Sequence, residues 1–361
     1  MGLSLSTDSL RITELGYKIK EQEEQIQNLQ IELNSLRSIH DAKLLSKDVM
    51  DKIGETWNTK NYEYLVLSGG GIKGFGLVGA IEILEQLGIT PKLKGIAGTS
   101  VGSIVAALLA IGYTSKEIIQ IIIDMDVASI FDDKPGYICD AVNFVKDWGV
   151  CPGNRIMSIM SDLVHKKTAD PNYTLSDLKR DKGITLVIVA TDVNSEKSVY
   201  FHPFNSIKAY SDISIVTAVR ISCGIPLCFE PFEYNNRYFV DGGVLDNFPL
   251  HVFDGTYPGD MSAKLNLCKP NHKVLGIKLV SAYDHNHSST TFSNVFEYLG
   301  SFINMFLIEN EKHQTVPGFW LRTIMINTPT YPITKFSLSK KEKQELIDLG
   351  RQQTSKFFAN K

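Results

Sequence analysis

The chain has 361 residues, of which 43% are apolar and 21% are charged, and its formal net charge at pH 7 is −3. This length accommodates one large domain with an appendage. Because there is no basic excess, the composition provides no general attraction to nucleic acid, and we expect no such partner. The longest apolar run, around residues 101–111, is too short to span a bilayer. The first ten residues lack the basic start and the apolar core of a secretory signal peptide, so we expect none.

The cysteines argue against a disulfide scaffold and against a structural zinc site. Their number is odd and no C-x-x-C spacing occurs among Cys139, Cys151, Cys223, Cys228 and Cys268. This pattern favours free thiols in a reducing compartment. We therefore expect a cytoplasmic protein, and we predict no metal and no cofactor.

The chain begins with a segment that carries few structural signals. Residues 1–11 are predicted to be disordered, and Met1–Ser6 matches the N-myristoylation pattern M-G-x-x-x-[ST]. The match is short and the nearby Asp8 is acidic where a basic residue would be favourable, so we interpret it as coincidental.

A heptad pattern follows in residues 12–39. Position a holds Ile12, Ile19, Ile26 and Leu33, and position d holds Leu15, Gln22, Leu29 and Leu36. This pattern predicts a coiled-coil helix over residues 12–45 that forms a parallel homodimer through residues 12–39. An amphipathic helix packed on the remaining chain, or a partly disordered one, would show a similar pattern. Residues 46–61 are predicted to be a linker.

Strand and helix patterns alternate over residues 62–361. The predicted strands are Tyr62–Leu67, Gly95–Thr99, Ile184–Asp192, Val199–Phe201, Tyr238–Asp241, Val274–Val280 and Arg322–Ile326. The predicted helices are Gly76–Leu87, Ser100–Ile111, Ser115–Met125, Asn154–Lys166, Tyr210–Ile221, Ser293–Lys312 and Lys340–Phe358. Such alternation is typical of an α/β fold, and we predict a three-layer α/β/α domain with a mostly parallel central sheet.

A glycine loop directly follows the first predicted strand. It reads Gly69-Gly70-Gly71-Ile72-Lys73-Gly74. Unobstructed backbone N–H groups in such a loop can stabilise the oxyanion that forms during attack on an ester carbonyl. The same letters fit the dinucleotide fingerprint G-x-G-x-x-G, so a nucleotide phosphate is the alternative ligand. The acidic residue that the fingerprint requires at the end of the second strand is missing, because Glu85 falls within a predicted helix.

The second motif is Gly98-Thr99-Ser100-Val101-Gly102, which reads G-x-S-x-G. It lies between a predicted strand and a predicted helix, the setting in which a sharp turn exposes a nucleophilic serine. Gly98 and Gly102 would permit this turn because a Cβ at either position would crowd it. The alternative is a serine that caps a buried helix. The glycine loop upstream favours the nucleophile.

A serine nucleophile needs a base, and two candidates are available. Asp192 with His251 fits the chain order of a Ser-Asp-His triad, but neither context is persuasive. Asp241 ends a predicted strand and is followed by Gly242 and Gly243, which would expose its carboxylate at the edge of the sheet. An ordinary Asp-Gly turn is the alternative.

In this order, the glycine loop, G-x-S-x-G and Asp-Gly-Gly resemble the patatin-like phospholipases. Further segments look like the same family, namely Thr191–Asn194, Ala218–Pro226 and Asp241–Pro249, and the likeness extends over about residues 62–358. The end of the chain, Arg322–Phe358, is similar to the tail of the microbial and viral branch of this family. The resemblance implies hydrolysis of lipid acyl esters by a Ser–Asp dyad, without histidine, metal or cofactor.

The resemblance also implies individual roles. Ser100 would be the nucleophile and Asp241 the base. Gly70, Gly71 and Ile72 would supply oxyanion amides, with Val101 as a further donor from the turn. Gly69 and Gly74 would shape the loop, and Lys73 would support it or meet a lipid phosphate.

The expected partner is a lipid substrate at the surface of a membrane or lipid aggregate, which implies peripheral membrane association. Apolar candidates for this contact are Ile130–Phe131, Ile225–Phe229 and the stripe Phe302, Ile303, Phe306 and Leu307. Core packing is the simpler interpretation for most of these residues. The segment Ile225–Phe229 is the best candidate for lipid contact, because we interpret it as a loop. Two other functions remain open, a dimeric scaffold that only binds lipid and a nucleotide-binding protein.

Overall fold

In a computed structural model, the described residues are 61–125, 149–254, 270–281, 319–329 and 338–359. The predicted disordered N-terminus, the coiled coil and all but the last residue of the linker lie outside these ranges. So do the predicted helix Ser293–Lys312, the pair Ile130–Phe131 and the apolar stripe at 302–307.

Strands and helices alternate through most of the described chain. The strands are β1 Tyr64–Leu67, β2 Gly95–Thr99, β3 Gly149–Cys151, β4 Thr185–Asp192, β5 Lys197–Phe201, β6 Leu227–Phe229, β7 Phe232–Tyr234, β8 Arg237–Asp241, β9 Val274–Ser281 and β10 Thr323–Thr328. The α-helices are α1 Phe75–Gln86, α2 Val101–Ile111, α3 Ser115–Asp124, α4 Asn154–Thr168, α5 Leu175–Lys182, α6 Lys208–Ser211, α7 Ile215–Ser222 and α8 Lys340–Ala359.

The central sheet is mixed but mostly parallel, which confirms the predicted fold class. Its order is β10-β9-β1-β2-β4-β8-β7, and β5 pairs with β4 outside this path. The neighbours from β10 to β4 are parallel, whereas β8 and β5 run antiparallel to β4. The carboxyl ends of β1 and β2 therefore lie side by side, and each leads directly into a glycine motif.

The sheet is covered on both faces, as its apolar strands require. In β1, Leu65 and Leu67 belong to the larger core cluster, which includes α1, α2 and α7. Val66 points the other way, into a second cluster that includes the 3₁₀ helix Leu250–Phe253. Because successive side chains of a strand face opposite sides, an uninterrupted apolar run is what a sheet between two layers needs.

The structure corrects the prediction in the middle of the chain. The predicted helix Tyr210–Ile221 is interrupted, because the Ser214 hydroxyl accepts the Thr217 N–H and caps a separate helix, α7. Helix α5 was not predicted, although Thr174 and Asp177 form a capping box at its start.

The predicted apolar loop Ile225–Phe229 is also revised. Leu227–Phe229 forms strand β6, which pairs with β3, and Phe229 is 2% exposed. Phe229 therefore belongs to the core and not to a lipid-contacting surface.

Candidate active site

Ser100 lies at the junction between β2 and α2, with φ 53° and ψ −129°. A positive φ is rare for a residue with a Cβ, and such strain costs about 1–3 kcal/mol unless surrounding contacts impose it. Ser100 is 8% exposed. Its carbonyl oxygen accepts the Ser103 hydroxyl at 2.6 Å, and its N–H donates to Ser222 Oγ at 3.0 Å. Both ends of the residue are thus held in the strained conformation.

The two glycines that flank Ser100 allow close backbone contacts. A Cβ on Gly98 would collide with the carbonyl group of Gly102. A Cβ on Gly102 would collide with the backbone of Leu67 and Ser68 at the end of β1. The sharp turn therefore needs glycine at both positions, as the G-x-S-x-G pattern predicted.

The glycine loop Gly69–Gly74 packs directly on this turn. It continues from β1 into a 3₁₀ helix, Gly71–Gly74, and then into α1. A Cβ on Gly69 would lie 3.2 Å from the Ser100 Cβ, and one on Gly74 would lie 3.2 Å from the Val101 Cβ. The structure thus brings the predicted oxyanion loop alongside the predicted nucleophile.

Backbone hydrogen bonds separate the amides of the loop into two groups. The Gly69 N–H donates to the Asn247 carbonyl at 3.0 Å, and the Lys73 N–H donates to the Gly70 carbonyl at 3.1 Å. These two amides hold the loop in shape. The amides of Gly71 and Ile72 open the helical turn, where N–H groups have no acceptor within the helix.

Asp241 ends β8, where it pairs with Ala190 of β4, and it is 4% exposed. Its Oδ1 accepts the Gly243 N–H at 2.7 Å, and its own N–H donates to the Gly224 carbonyl at 2.8 Å. Among the described residues, Oδ2 accepts no close hydrogen bond. A Cβ on Gly242 would collide with the Val189 carbonyl, so the chain can turn away here only through glycine.

The electrostatic environment of Asp241 differs from that of an ordinary carboxylate. Burial raises its pKa to about 7, against opposing contributions from the nearby Ser100 side chain and the Gly243 amide, which lower it. The interaction with Ser100 shows that the two predicted catalytic side chains lie near each other. A carboxyl with a pKa near 7 matches the requirement for a base at neutral pH.

The contacts of Asp192 and His251 do not form a triad with Ser100. Asp192 accepts hydrogen bonds from Ser195 and forms an ion pair with Arg237. His251 Nε2 lies 3.3 Å from the Tyr200 hydroxyl and 3.9 Å from Asp246 Oδ2. Both residues are therefore occupied elsewhere in the fold.

Sequence reasoning did not identify the polar residues that connect the motifs. Thr99 Oγ1 donates to the Asp246 carbonyl at 3.0 Å, and the next residue, Asn247, accepts the Gly69 N–H. Asp246 and Asn247 thus tie the chain after Asp241 to both the serine turn and the glycine loop. They are the first polar residues after the Asp-Gly-Gly turn, and this position is the one sequence feature that could have pointed to them.

The described ranges contain neither a metal-binding cluster nor a membrane-spanning helix. Within them, no group of three or more His, Cys, Asp or Glu side chains is arranged to hold a metal ion. No helix in the same part of the chain combines the length and apolarity needed to cross a bilayer.

Comparison with known proteins bears on the family of the chain. The model of the patatin-like phospholipase family matches residues 65–254. The chain is 28% identical over 305 residues to an uncharacterized Bacillus subtilis protein, YqhO, covering 81% of this chain and 97% of that one. It is 29% identical over 252 residues to a protein of Invertebrate iridescent virus 6 named Probable lipid hydrolase 463L, covering 68% of this chain and 82% of the viral one.

Among solved structures, the ExoU–SpcU complex of the Pseudomonas aeruginosa type III secretion system has a similar fold. Its TM-score is 0.50 at 16% identity, over 83% of this chain and 52% of the matched chain. The present chain thus spans about half the length of that structure, and the likeness concerns the fold alone. The family model matches more than half of the length of this chain. The chain therefore belongs to the patatin-like phospholipase family.

Proposed function

We propose that the protein hydrolyses carboxylic ester bonds of phospholipids or related acyl lipids, with Ser100 as nucleophile and Asp241 as base. The observation that carries this proposal is the buried Asp241 carboxyl, whose pKa burial raises to about 7 and which lies near the Ser100 side chain. Family membership and the name of the viral relative support lipid hydrolysis as the reaction class.

The proposed reaction has two halves. Asp241 takes the proton of Ser100 as Oγ attacks the ester carbonyl, and the negative charge of the tetrahedral intermediate develops on the former carbonyl oxygen. The amides of Gly70, Gly71 and Ile72, with that of Val101, would stabilise this oxygen. The C–O bond to the alcohol breaks, and the alcohol leaves with the proton. Water, deprotonated by Asp241, then cleaves the acyl-enzyme and restores Ser100.

The products released from phospholipids would show both whether the protein hydrolyses lipid and which bond it cleaves. Vesicles of mixed phospholipids are incubated with the protein, with and without EDTA, and the products are identified by mass spectrometry. We expect free fatty acid and lysophospholipid in equal amounts, unaffected by EDTA, because the proposed phospholipase A reaction uses a side-chain base. Release of a phosphorylated headgroup, or loss of activity on chelation, would contradict the proposal.

The pH dependence of the reaction follows from Asp241. The carboxylate must be ionised to accept a proton, so activity should be present above its pKa of about 7 and lost below it. The neighbouring Cys223 thiol stays neutral, because burial and the Asp241 charge raise its pKa to about 12. We expect kcat/KM at pH 5 to be roughly 100-fold below its plateau near pH 9, since one ionisation changes tenfold per pH unit. A flat profile over this range would exclude Asp241 as the titrating base.

The oxyanion hole can be tested by removing one amide. Ile72→Pro removes the N–H at the second position of the 3₁₀ helix, and proline is tolerated in the first turn of a helix. We expect kcat to fall by about 10²-fold or more, the usual cost of one lost oxyanion donor. Ile72→Ala keeps the N–H but also loses the packing of the isoleucine side chain. The difference in kcat between the two variants therefore measures the contribution of the N–H. Equal rates for the two would remove Ile72 from the oxyanion hole.

A further inference from the structure

A three-residue segment outside the catalytic motifs touches the backbone of both proposed catalytic residues. It is Ser222–Gly224, hereafter the bridging segment, which begins with the last residue of α7. Ser222 Oγ accepts the Ser100 N–H at 3.0 Å, and the Gly224 carbonyl accepts the Asp241 N–H at 2.8 Å. Ser100 and Asp241 are 141 residues apart in the chain, yet they are connected through one short stretch of backbone.

The bridging segment is itself firmly held. Ser222 is 0% exposed, and the Cys223 and Gly224 amides donate to the carbonyls of Val219 and Ile221 at 3.0 and 3.1 Å. Two residues before Ser222, the buried Arg220 anchors the same helix end. Its guanidinium donates to the Pro152 carbonyl at 2.7 Å and to the Glu230 carbonyl at 3.0 Å, and it stacks near the rings of Phe229 and Phe232.

The hydrogen bond to Ser222 acts on the strained part of the serine turn. Ser100 has a strained φ angle of 53°, and φ is the rotation about its N–Cα bond. The N–H on this bond donates to a side-chain oxygen, Ser222 Oγ. If this acceptor is lost, a buried N–H remains unsatisfied, and the turn can relax only by rotating Ser100. Such a rotation would move the nucleophile relative to Asp241, which stays attached to the Gly224 carbonyl.

We propose that Ser222 is a positioning residue for the proposed hydrolysis, and that its hydroxyl sets the placement of Ser100 relative to Asp241 through the bridging segment. The proposal rests on the proposed function, and Ser222 itself does not touch the reacting atoms. Displacement of a reacting group by about 1 Å is enough to cost on the order of 10²-fold in rate.

The test compares Ser222→Ala with wild type in ester hydrolysis and in the rate of labelling by a fluorophosphonate. Both rates are expressed per folded molecule, with the folded fraction taken from near-ultraviolet circular dichroism. We expect kcat and the labelling rate to fall together by about 10- to 100-fold, with KM changed by less than about twofold. Ser222→Thr, which keeps a hydroxyl acceptor, should recover at least tenfold of this loss. The midpoint of the pH profile of Ser222→Ala should also move above that of wild type, because displacement of Ser100 weakens its lowering effect on the Asp241 pKa.

Ser211→Ala is the matched control, since it removes another buried hydroxyl, which donates to the Lys208 carbonyl at 3.0 Å. It should keep the wild-type rates and pH midpoint. Wild-type rates in Ser222→Ala, or a folded Ser222→Thr that is as slow as Ser222→Ala, would overturn the positioning role while leaving the proposed function intact. If the wild-type protein is neither active nor labelled, the proposed function fails and this inference fails with it.

Discussion

Replacing Ser100 with alanine is expected to reduce ester hydrolysis by about 10⁶-fold, the loss found when the nucleophile of a serine hydrolase is removed. The covalent route is then closed, and only the oxyanion amides and substrate binding remain to promote attack by water. The measurement is kcat for a short-chain ester and for phospholipid vesicles. Residual activity above about one per cent of wild type would show that another group is the nucleophile.

A second substitution at this position separates loss of chemistry from loss of structure. Ser100→Gly should be as inactive as Ser100→Ala, yet more stable than it by about 1 kcal/mol, because glycine adopts φ 53° without steric cost. Thermal unfolding of the two variants checks this difference. If alanine proved the more stable substituent, the strained turn around Ser100 would be wrong.

The substitution Asp241→Asn is expected to abolish hydrolysis and, at the same time, to stabilise the fold at alkaline pH. The activity loss follows because an amide cannot accept the proton of Ser100. The stability gain follows because burial raises the Asp241 pKa from 3.8 to about 7, so ionisation costs more in the folded state than in the unfolded chain. At 1.36 kcal/mol per pKa unit, this shift predicts that Asp241→Asn raises the free energy of unfolding by roughly 4 kcal/mol above pH 7.

The sign of this effect defines the pH window. Wild type loses stability relative to Asp241→Asn as the pH rises from about 4 to about 7, and the gap is constant above that range. Urea unfolding of both proteins at several pH values measures the gap. A gap that fails to grow between these pH values would contradict the buried, uncompensated carboxyl.

Asp192→Asn is the matched control for this experiment, and its effect should have the opposite sign. Burial raises the Asp192 pKa, but hydrogen bonds from Ser195 and Arg237 outweigh burial and lower it. Removing that charge should destabilise the protein at neutral pH, and the difference should shrink only as the pH falls below about 4, through the lowered pKa of Asp192. A stabilising Asp192→Asn would show that the two carboxylates are not distinguished in this way.

Much of the catalytic domain was predictable because its signals are local. The apolar runs of β1 and β2, each ending in a glycine motif, predict the sheet between two layers and the position of Ser100. Asp241 was found from a strand followed by two glycines, and the structure shows why both conditions matter. The strand places Asp241 against Ala190 of β4, and Gly242 allows the turn past the Val189 carbonyl.

The residues that connect these motifs were not predictable, because their partners are distant in sequence. Ser222 contacts Ser100 across 122 residues, and Thr99 contacts the Asp246 carbonyl across 147. Ser222 stands in no periodic or glycine-marked pattern, and Asn247 is marked only by its place after the Asp-Gly-Gly turn. Short strands such as β6 were missed for a similar reason, since Leu227–Phe229 is ordered by pairing with the remote β3.

The central claim is that Ser100 forms a covalent acyl-enzyme, and mapping the site of a fluorophosphonate adduct tests it most directly. The full chain is treated with the probe, digested, and analysed by mass spectrometry, alongside Ser100→Ala. We expect one adduct per chain, on the peptide that contains Ser100, and none on the Ser100→Ala variant. An adduct on another residue, or an unmodified wild-type protein that still hydrolyses lipid, would contradict Ser100 as the nucleophile.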